Sequence, residues 1–193
     1  SFLPNGEIAV RPVTISAGRQ RELESHVMLF YTGIKRTAST VADTFVPGLD
    51  DKRRQLRLLQ GMVDEGLSIL SGTQSMDTFG NLLHEAWQAK RSLSSTVSNS
   101  EVDAMYDAAR SAGALGGKLI GAGGGGCLLL FVPPERREAV RLALGSLIHV
   151  PIRFESSGSQ IIFFDREADY LAEEEQRAAL PIQAFRELGT DTR

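Results

Sequence analysis

From Gly113 to Cys127 the chain reads Gly-Ala-Leu-Gly-Gly-Lys-Leu-Ile-Gly-Ala-Gly-Gly-Gly-Gly-Cys, and an apolar run, Leu128-Leu-Leu-Phe-Val132, follows. Six of the seven residues before Cys127 lack a large side chain. Successive backbone N–H groups can therefore turn toward one point, as an anion-binding loop requires. Four consecutive glycines are costly in conformational entropy if they only reverse the chain. That cost favours a phosphate-facing role for Gly121, Ala122, Gly123, Gly124, Gly125 and Gly126 over a plain turn.

The flanks decide which kind of glycine loop this is. Gly121, Gly123 and Gly126 satisfy G-x-G-x-x-G, but a dinucleotide fingerprint needs a helix to begin at the loop, and here a strand-like run follows until Pro133-Pro134. A Walker loop ends in Gly-Lys-Ser/Thr, whereas this one ends in Cys127 and its nearby lysine, Lys118, precedes it. A protein-kinase loop would be followed by Val-Ala-Ile-Lys, His-Arg-Asp and Asp-Phe-Gly, none of which occurs. The order that remains is strand, glycine loop, strand, helix.

Elsewhere, periodicity predicts strands over 7–15, 26–32, 152–154 and 160–164, with a short helical connector at 19–23. Helical spacing joins Ile34, Ala38, Val41 and Phe45 up to Pro47-Gly48, and Leu56, Leu59, Val63, Leu67 and Leu70 behind Asp50-Asp51. Asp77 is the expected N-cap of a helix carrying Phe79, Leu82, Leu83, Ala86 and Trp87. Ser98 to Glu101 fits a capping box before Val102, Met105, Tyr106 and Ala109, and Pro134 suits the first turn of a helix through Leu147. This alternation predicts an α+β fold with a mostly antiparallel sheet and helices packed on one face.

With 193 residues, 42% of them hydrophobic, the chain can bury a core of its own. A net charge of -3 and a pI near 5.7 give no general attraction to nucleic acid or anionic membranes, so any polyanion site is local. One cysteine excludes an intramolecular disulfide. No apolar run approaches the roughly 20 residues of a membrane span, and Ser1 to Gly6 lacks the features of a signal peptide. The expected location is the cytoplasm, with no nucleic-acid or membrane partner.

The glycine motif resembles the third motif of the galactokinase, homoserine kinase, mevalonate kinase and phosphomevalonate kinase (GHMP) superfamily. The likeness extends through Asp77-Thr-Phe-Gly-Asn-Leu-Leu83, Ala86-Trp-Gln-Ala-Lys-Arg91, Val97-Ser-Asn99, Val150 to Phe154 and Gly158 to Ile162. Leu29-Phe-Tyr-Thr-Gly33, the Trp87/Lys90/Arg91 segment and Gly158-Ser-Gln160 are most similar to D-glycero-D-manno-heptose 7-phosphate kinases, with fucose kinases next. The resemblance implies the ferredoxin-like carboxy-terminal domain of such an enzyme over residues 1–165; residues 166–193 match nothing in that domain, and their charge predicts a solvated extension used in self-association, as in a homodimer. It also implies ATP and Mg2+ as cofactors and a sugar phosphate as substrate. The family's amino-terminal domain, with its Pro-x-x-x-Gly-Leu-Gly-Ser-Ser motif, has no counterpart in these residues. That kinase domain is therefore the expected partner, and no catalytic residue and no metal ligand is assigned in this fragment, which is expected to be inactive alone.

On this resemblance the candidates for a substrate phosphate are Arg36, Lys90, Arg91 and Lys118. Each has an ordinary alternative: Lys90 and Arg91 as a basic helix end stabilised by the macrodipole, Lys118 as a solvated strand lysine, and Arg36 as a surface arginine whose forked geometry also suits phosphate. Trp87 and Cys127 are expected in the core. His26, His84 and His149 lack metal-ligand spacing. Two other readings stay open: a non-catalytic ferredoxin-like module that binds a ligand or partner, and a non-kinase branch such as the diphosphomevalonate decarboxylases.

Overall fold

The apolar run Val27–Tyr31 forms the inner strand β1 of a four-stranded antiparallel sheet, flanked on both edges. In this computed structural model the described residues are 1–10, 12–34, 52–93, 97–121, 125–155, 158–159, 171, 175–176 and 179. The chain divides into two compact units, Ser1–Phe154 and Glu155–Arg193. In the second unit, residues 171, 175, 176 and 179 are helical.

Helix α1, Ala17–His26, starts at Ser16, whose Oγ accepts the Arg19 N–H at 3.1 Å, and runs directly into β1. Helices α2 (Arg53–Ser71), α3 (Met76–Arg91) and α4 (Ser100–Ser111) follow. Then come β2 (Gly116–Ile120), β3 (Cys127–Phe131), a 3-10 turn at Pro134–Arg136, α5 (Arg137–Ala143) and β4 (Ile148–Val150). The strand order is β2-β3-β1-β4. With α4 leading into β2 and α5 joining β3 to β4, this is the split βαβ arrangement expected for a ferredoxin-like α+β domain.

Period-two alternation divides the sheet into two faces. Met28 and Phe30 of β1, register partners of Leu130 and Leu128, pack with Val102, Tyr106 and Ala109 of α4 and Val140 of α5. Phe30, Leu128 and Leu130 are at most 1% exposed, so each contributes on the order of 1.5–3 kcal/mol through burial. These two helices cover one face of the sheet. The opposite face carries a second layer, where Val27, Leu129 and Phe131 meet Met76, Phe79 and Leu83 of α3 with Leu70 of α2 and Leu23 of α1. Trp87, further along α3, joins the first layer beside Tyr106 and is 1% exposed, a core residue as expected. Cys127 is half-buried rather than buried.

Helix ends differ from expectation by one or two residues. Ser75, not Asp77, caps α3, because its Oγ already accepts the Asp77 N–H at 3.2 Å; Asp77 lies within the first turn, where its carboxylate meets the positive end of the dipole. Asn99, not Ser98, caps α4, its Oδ1 accepting the Val102 N–H at 2.9 Å, and the Ser98 hydroxyl donates to the Asp103 carboxylate at 2.7 Å. The far end of α4 is a Schellman motif. Gly113 at φ 112° lets its own N–H reach the Arg110 carbonyl and the Ala114 N–H reach Ala109.

Two predicted strands are absent. Residues 7–10 and 12–15 form no strand; only the Phe2–Ile8 bridge occurs there, and Val10 and Val13 are exposed. Residues 152–154 are also irregular, because the edge of β1 is taken upstream by Ile148–Val150, paired with Leu29–Tyr31. The Phe154 N–H donates instead to the Glu24 carboxylate. The helix expected from Ala38 to Phe45, the pair Asp50-Asp51 and the strand at 160–164 lie outside the described residues.

Candidate functional site

The glycine loop joins β2 to β3, and its base is latched to the segment that follows β1. Gly126 donates its N–H to the Ile34 carbonyl at 2.8 Å, and its own carbonyl accepts both the Thr32 N–H (3.0 Å) and the Thr32 hydroxyl (2.8 Å). That hydroxyl also accepts the Ile34 N–H at 3.2 Å. The Gly126 amide is therefore committed to the latch, and ligand-facing donors must come from other residues of the loop. Ala122, Gly123 and Gly124 lie outside the described residues.

The latch explains why glycine is needed at the loop base. Gly126 has φ 102°, and a Cβ there would stand 2.7 Å from the Ile120 carbonyl oxygen; at Gly125 a Cβ would stand 2.5 Å from the Ile34 carbonyl oxygen. Both neighbours are backbone, which cannot swing away as a side chain can. Nothing local announces Thr32 and Ile34 as functional, since their partner Gly126 is about ninety residues distant.

A second close approach sets α3 against β2. A Cβ on Gly116 would lie 2.0 Å from the Gly80 carbonyl oxygen and 2.7 Å from the His84 nitrogen, and one on Gly80 would lie 2.7 Å from both Leu115 Cβ and Phe131 Cδ1. Lys118, two residues after Gly116, shares that face of the sheet and is half-buried, three residues before the loop begins. Lys90 is half-buried on α3. Burial holds its ammonium below the ordinary lysine range, and the positive charge of Lys118 lowers it further. Lys90 and Lys118 are thus near enough for their charges to interact.

Arg91 takes a different direction. Neighbouring helix residues point about 100° apart, and the Arg91 guanidinium donates to the Asp103 carboxylate of α4 at 2.7 Å. Arg36 lies outside the described residues. Among the histidines, His84 Nδ1 lies 2.8 Å from the Tyr106 hydroxyl with the rings stacked at 5.9 Å. Burial, then Arg110, hold His84 below the usual imidazole range, while burial pushes Tyr106 up to about 12. His26 stacks on Phe131 and His149 packs on Phe30. Among the described residues no three His, Cys, Asp or Glu side chains are grouped to hold a metal ion. The donor set here, two ammonium groups beside a latched glycine loop, suits phosphate oxygens.

Comparisons with known proteins agree with this architecture. Residues 68–149, which take in α3, α4, β2, the glycine loop, β3 and α5, match the family described as GHMP kinases C terminal. The D-glycero-alpha-D-manno-heptose 7-phosphate kinase of Campylobacter jejuni is 29% identical over 145 residues, covering 74% of this chain and 42% of that protein. The L-fucokinase/L-fucose-1-P guanylyltransferase of Bacteroides fragilis is 34% identical over 118 residues, 60% of this chain and 12% of that protein. The chain thus spans about two fifths of the length of the first relative and an eighth of the second. Among solved structures, a D-glycero-D-manno-heptose 1-phosphate kinase from Bacteroides thetaiotaomicron superposes with a TM-score of 0.52 at 25% identity, over 79% of this chain and 40% of that one. Residues 68–149, which hold the glycine loop between β2 and β3 and most of the split βαβ sheet, are thus similar to a GHMP kinase C-terminal domain.

Proposed function

We propose that this chain is the carboxy-terminal half of a cytoplasmic, ATP- and Mg2+-dependent kinase that transfers the γ-phosphoryl group to the anomeric hydroxyl of D-glycero-D-manno-heptose 7-phosphate. The observation that carries the reading is the latched glycine loop with two lysines beside it, in a chain that resembles a heptose 7-phosphate kinase along three quarters of its length. Phosphoryl transfer asks little covalent chemistry of a protein and much positioning and charge neutralisation. ATP supplies the phosphoryl group, and Mg2+ neutralises it, when both are bound to the complete enzyme. On this reading Gly125 and Gly126 fix the base of the loop, and Lys90 and Lys118 supply positive charge for the phosphates.

The amino-terminal domain that the family carries is the proposed partner and the source of the remaining phosphate and metal contacts; residues 166–193 are a proposed site of self-association. Among the described residues no helix is long and apolar enough to cross a membrane. Similarity to the fucokinase favours fucose as the second acceptor to try.

Phosphorus NMR of the full-length gene product with Mg-ATP and D-glycero-D-manno-heptose 7-phosphate tests the proposal. The expected result is a new anomeric phosphate signal growing with ADP. Intact ATP with the heptose, with fucose and with a panel of other sugars would refute it and leave a ligand-binding module.

A further inference from the structure

Lys90 and Lys118 stand out as cations that have no counter-ion among the described residues. Among the described residues neither has a hydrogen-bond or ion-pair partner; the arginines nearby differ, Arg91 being paired with Asp103 and Arg110 donating to the Ala114 carbonyl. Their meeting follows from the packing. Leu83 of α3 packs in the cluster that contains Leu129, and Leu129 is the register partner of Lys118. Lys90 lies seven residues beyond Leu83, close to two full turns, and so projects from the same side of α3. Gly80 and Gly116 let the helix approach the strand at backbone distance, so both lysines lie on the side where α3 rests on the sheet.

Two half-buried like charges repel each other more strongly than they would in water, and each also loses hydration. A doubly negative group between them relieves both penalties, whereas a neutral hydroxyl does not. We infer that Lys90 and Lys118 form a binding site for a phosphate dianion at the entrance of the glycine loop, with Arg91 serving α4 instead. Within the kinase reading above, on which the identity of the ligand rests, that dianion belongs either to the sugar-phosphate acceptor or to the nucleotide.

The site is tested apart from catalysis by titrating inorganic phosphate into this 193-residue chain carrying 13C-methylated lysines. The expected result is saturable movement of the Lys90 and Lys118 signals together, lost in Lys90→Met and in Lys118→Met and retained in Lys90→Arg, which keeps the charge. Steady-state kinetics of the full-length enzyme then identify the source. Each Lys→Met change raises KM by roughly 10- to 100-fold, the scale of a lost charge-assisted hydrogen bond, for the sugar phosphate if its phosphate occupies the site and for ATP if the nucleotide does. Either pattern supports the site. Phosphate binding with no turnover on any sugar retires the kinase reading and keeps the site. Turnover with both KM values unchanged in folded Lys→Met variants, and lysine signals indifferent to phosphate, overturns the site and leaves two solvated lysines.

Discussion

Replacing Gly116 by alanine adds one methyl group at the place where α3 rests on β2. That methyl would stand 2.0 Å from the Gly80 carbonyl oxygen and 2.7 Å from the His84 nitrogen, the acceptor and donor of one turn of the helix. Ordinary contact at 3.4 Å requires the helix to retreat by about 1.4 Å, the difference from the 2.0 Å approach. Overpacking costs typically 1–3 kcal/mol. Here both colliding groups are backbone, so the upper end of that range applies, reduced by the ~0.4–1 kcal/mol that alanine gains over glycine through the unfolded chain. The net loss is about 2–3 kcal/mol, or a fall of about 4–12 °C in Tm for a unit of this size.

Gly61→Ala is the matched control. Gly61 lies in α2 with nothing within 4 Å of an added Cβ, so alanine should stabilise by about 1 kcal/mol and raise Tm by about 2–4 °C. Thermal unfolding followed by circular dichroism measures both. A Gly116→Ala protein melting within a degree or two of the parent would refute the backbone contact, and with it the geometry that brings Lys90 to Lys118.

Thr32→Val keeps the shape of the side chain and removes the hydroxyl that bonds the Gly126 carbonyl and receives the Ile34 N–H. A loss of about 1–2 kcal/mol is expected, read by urea unfolding together with faster proteolysis at the glycine loop; unchanged proteolysis would mean the backbone bonds alone hold the latch. Stability should also decline on both sides of neutral pH. Tyr106, raised by burial from 10.0 to about 12, contributes stability that is complete below pH 10 and lost as pH rises from there through about 12. His84, lowered from 6.5 chiefly by burial, must accept a proton more readily when unfolded, so stability is lost as pH falls below about 6.5. Urea titrations across pH measure both arms, and Tyr106→Phe should flatten the alkaline one.

What local pattern determines was legible before any coordinates: the apolar run of β1, the stripes of α2, α3 and α4, and the order of β2, glycine loop, β3 and α5. Caps shifted by a residue or two because several polar side chains stood close to each helix start, and only backbone geometry chose Ser75 over Asp77 and Asn99 over Ser98. The strands expected at 7–15 and 152–154 failed for a different reason. Alternation describes a side chain's two faces and says nothing of whether a partner edge is free, and both edges of β1 were already occupied by β3 and β4.

The candidate site shows the same division most clearly. Lys90 and Arg91 are adjacent in sequence and both are candidates for a substrate phosphate, yet a helix turns about 100° between neighbours, and Arg91 pairs with Asp103 of α4. Lys90 and Lys118 are separated by α4 and converge because two glycines, Gly80 and Gly116, remove the side chains that would have kept helix and strand apart. Gly80 was the visible signal. A glycine in the middle of a helix weakens it by about 1 kcal/mol relative to alanine, and its place here is explained by what it lets approach. The residues that bring charge to the loop are therefore recognisable less by their own type than by the absence of side chains where their elements cross.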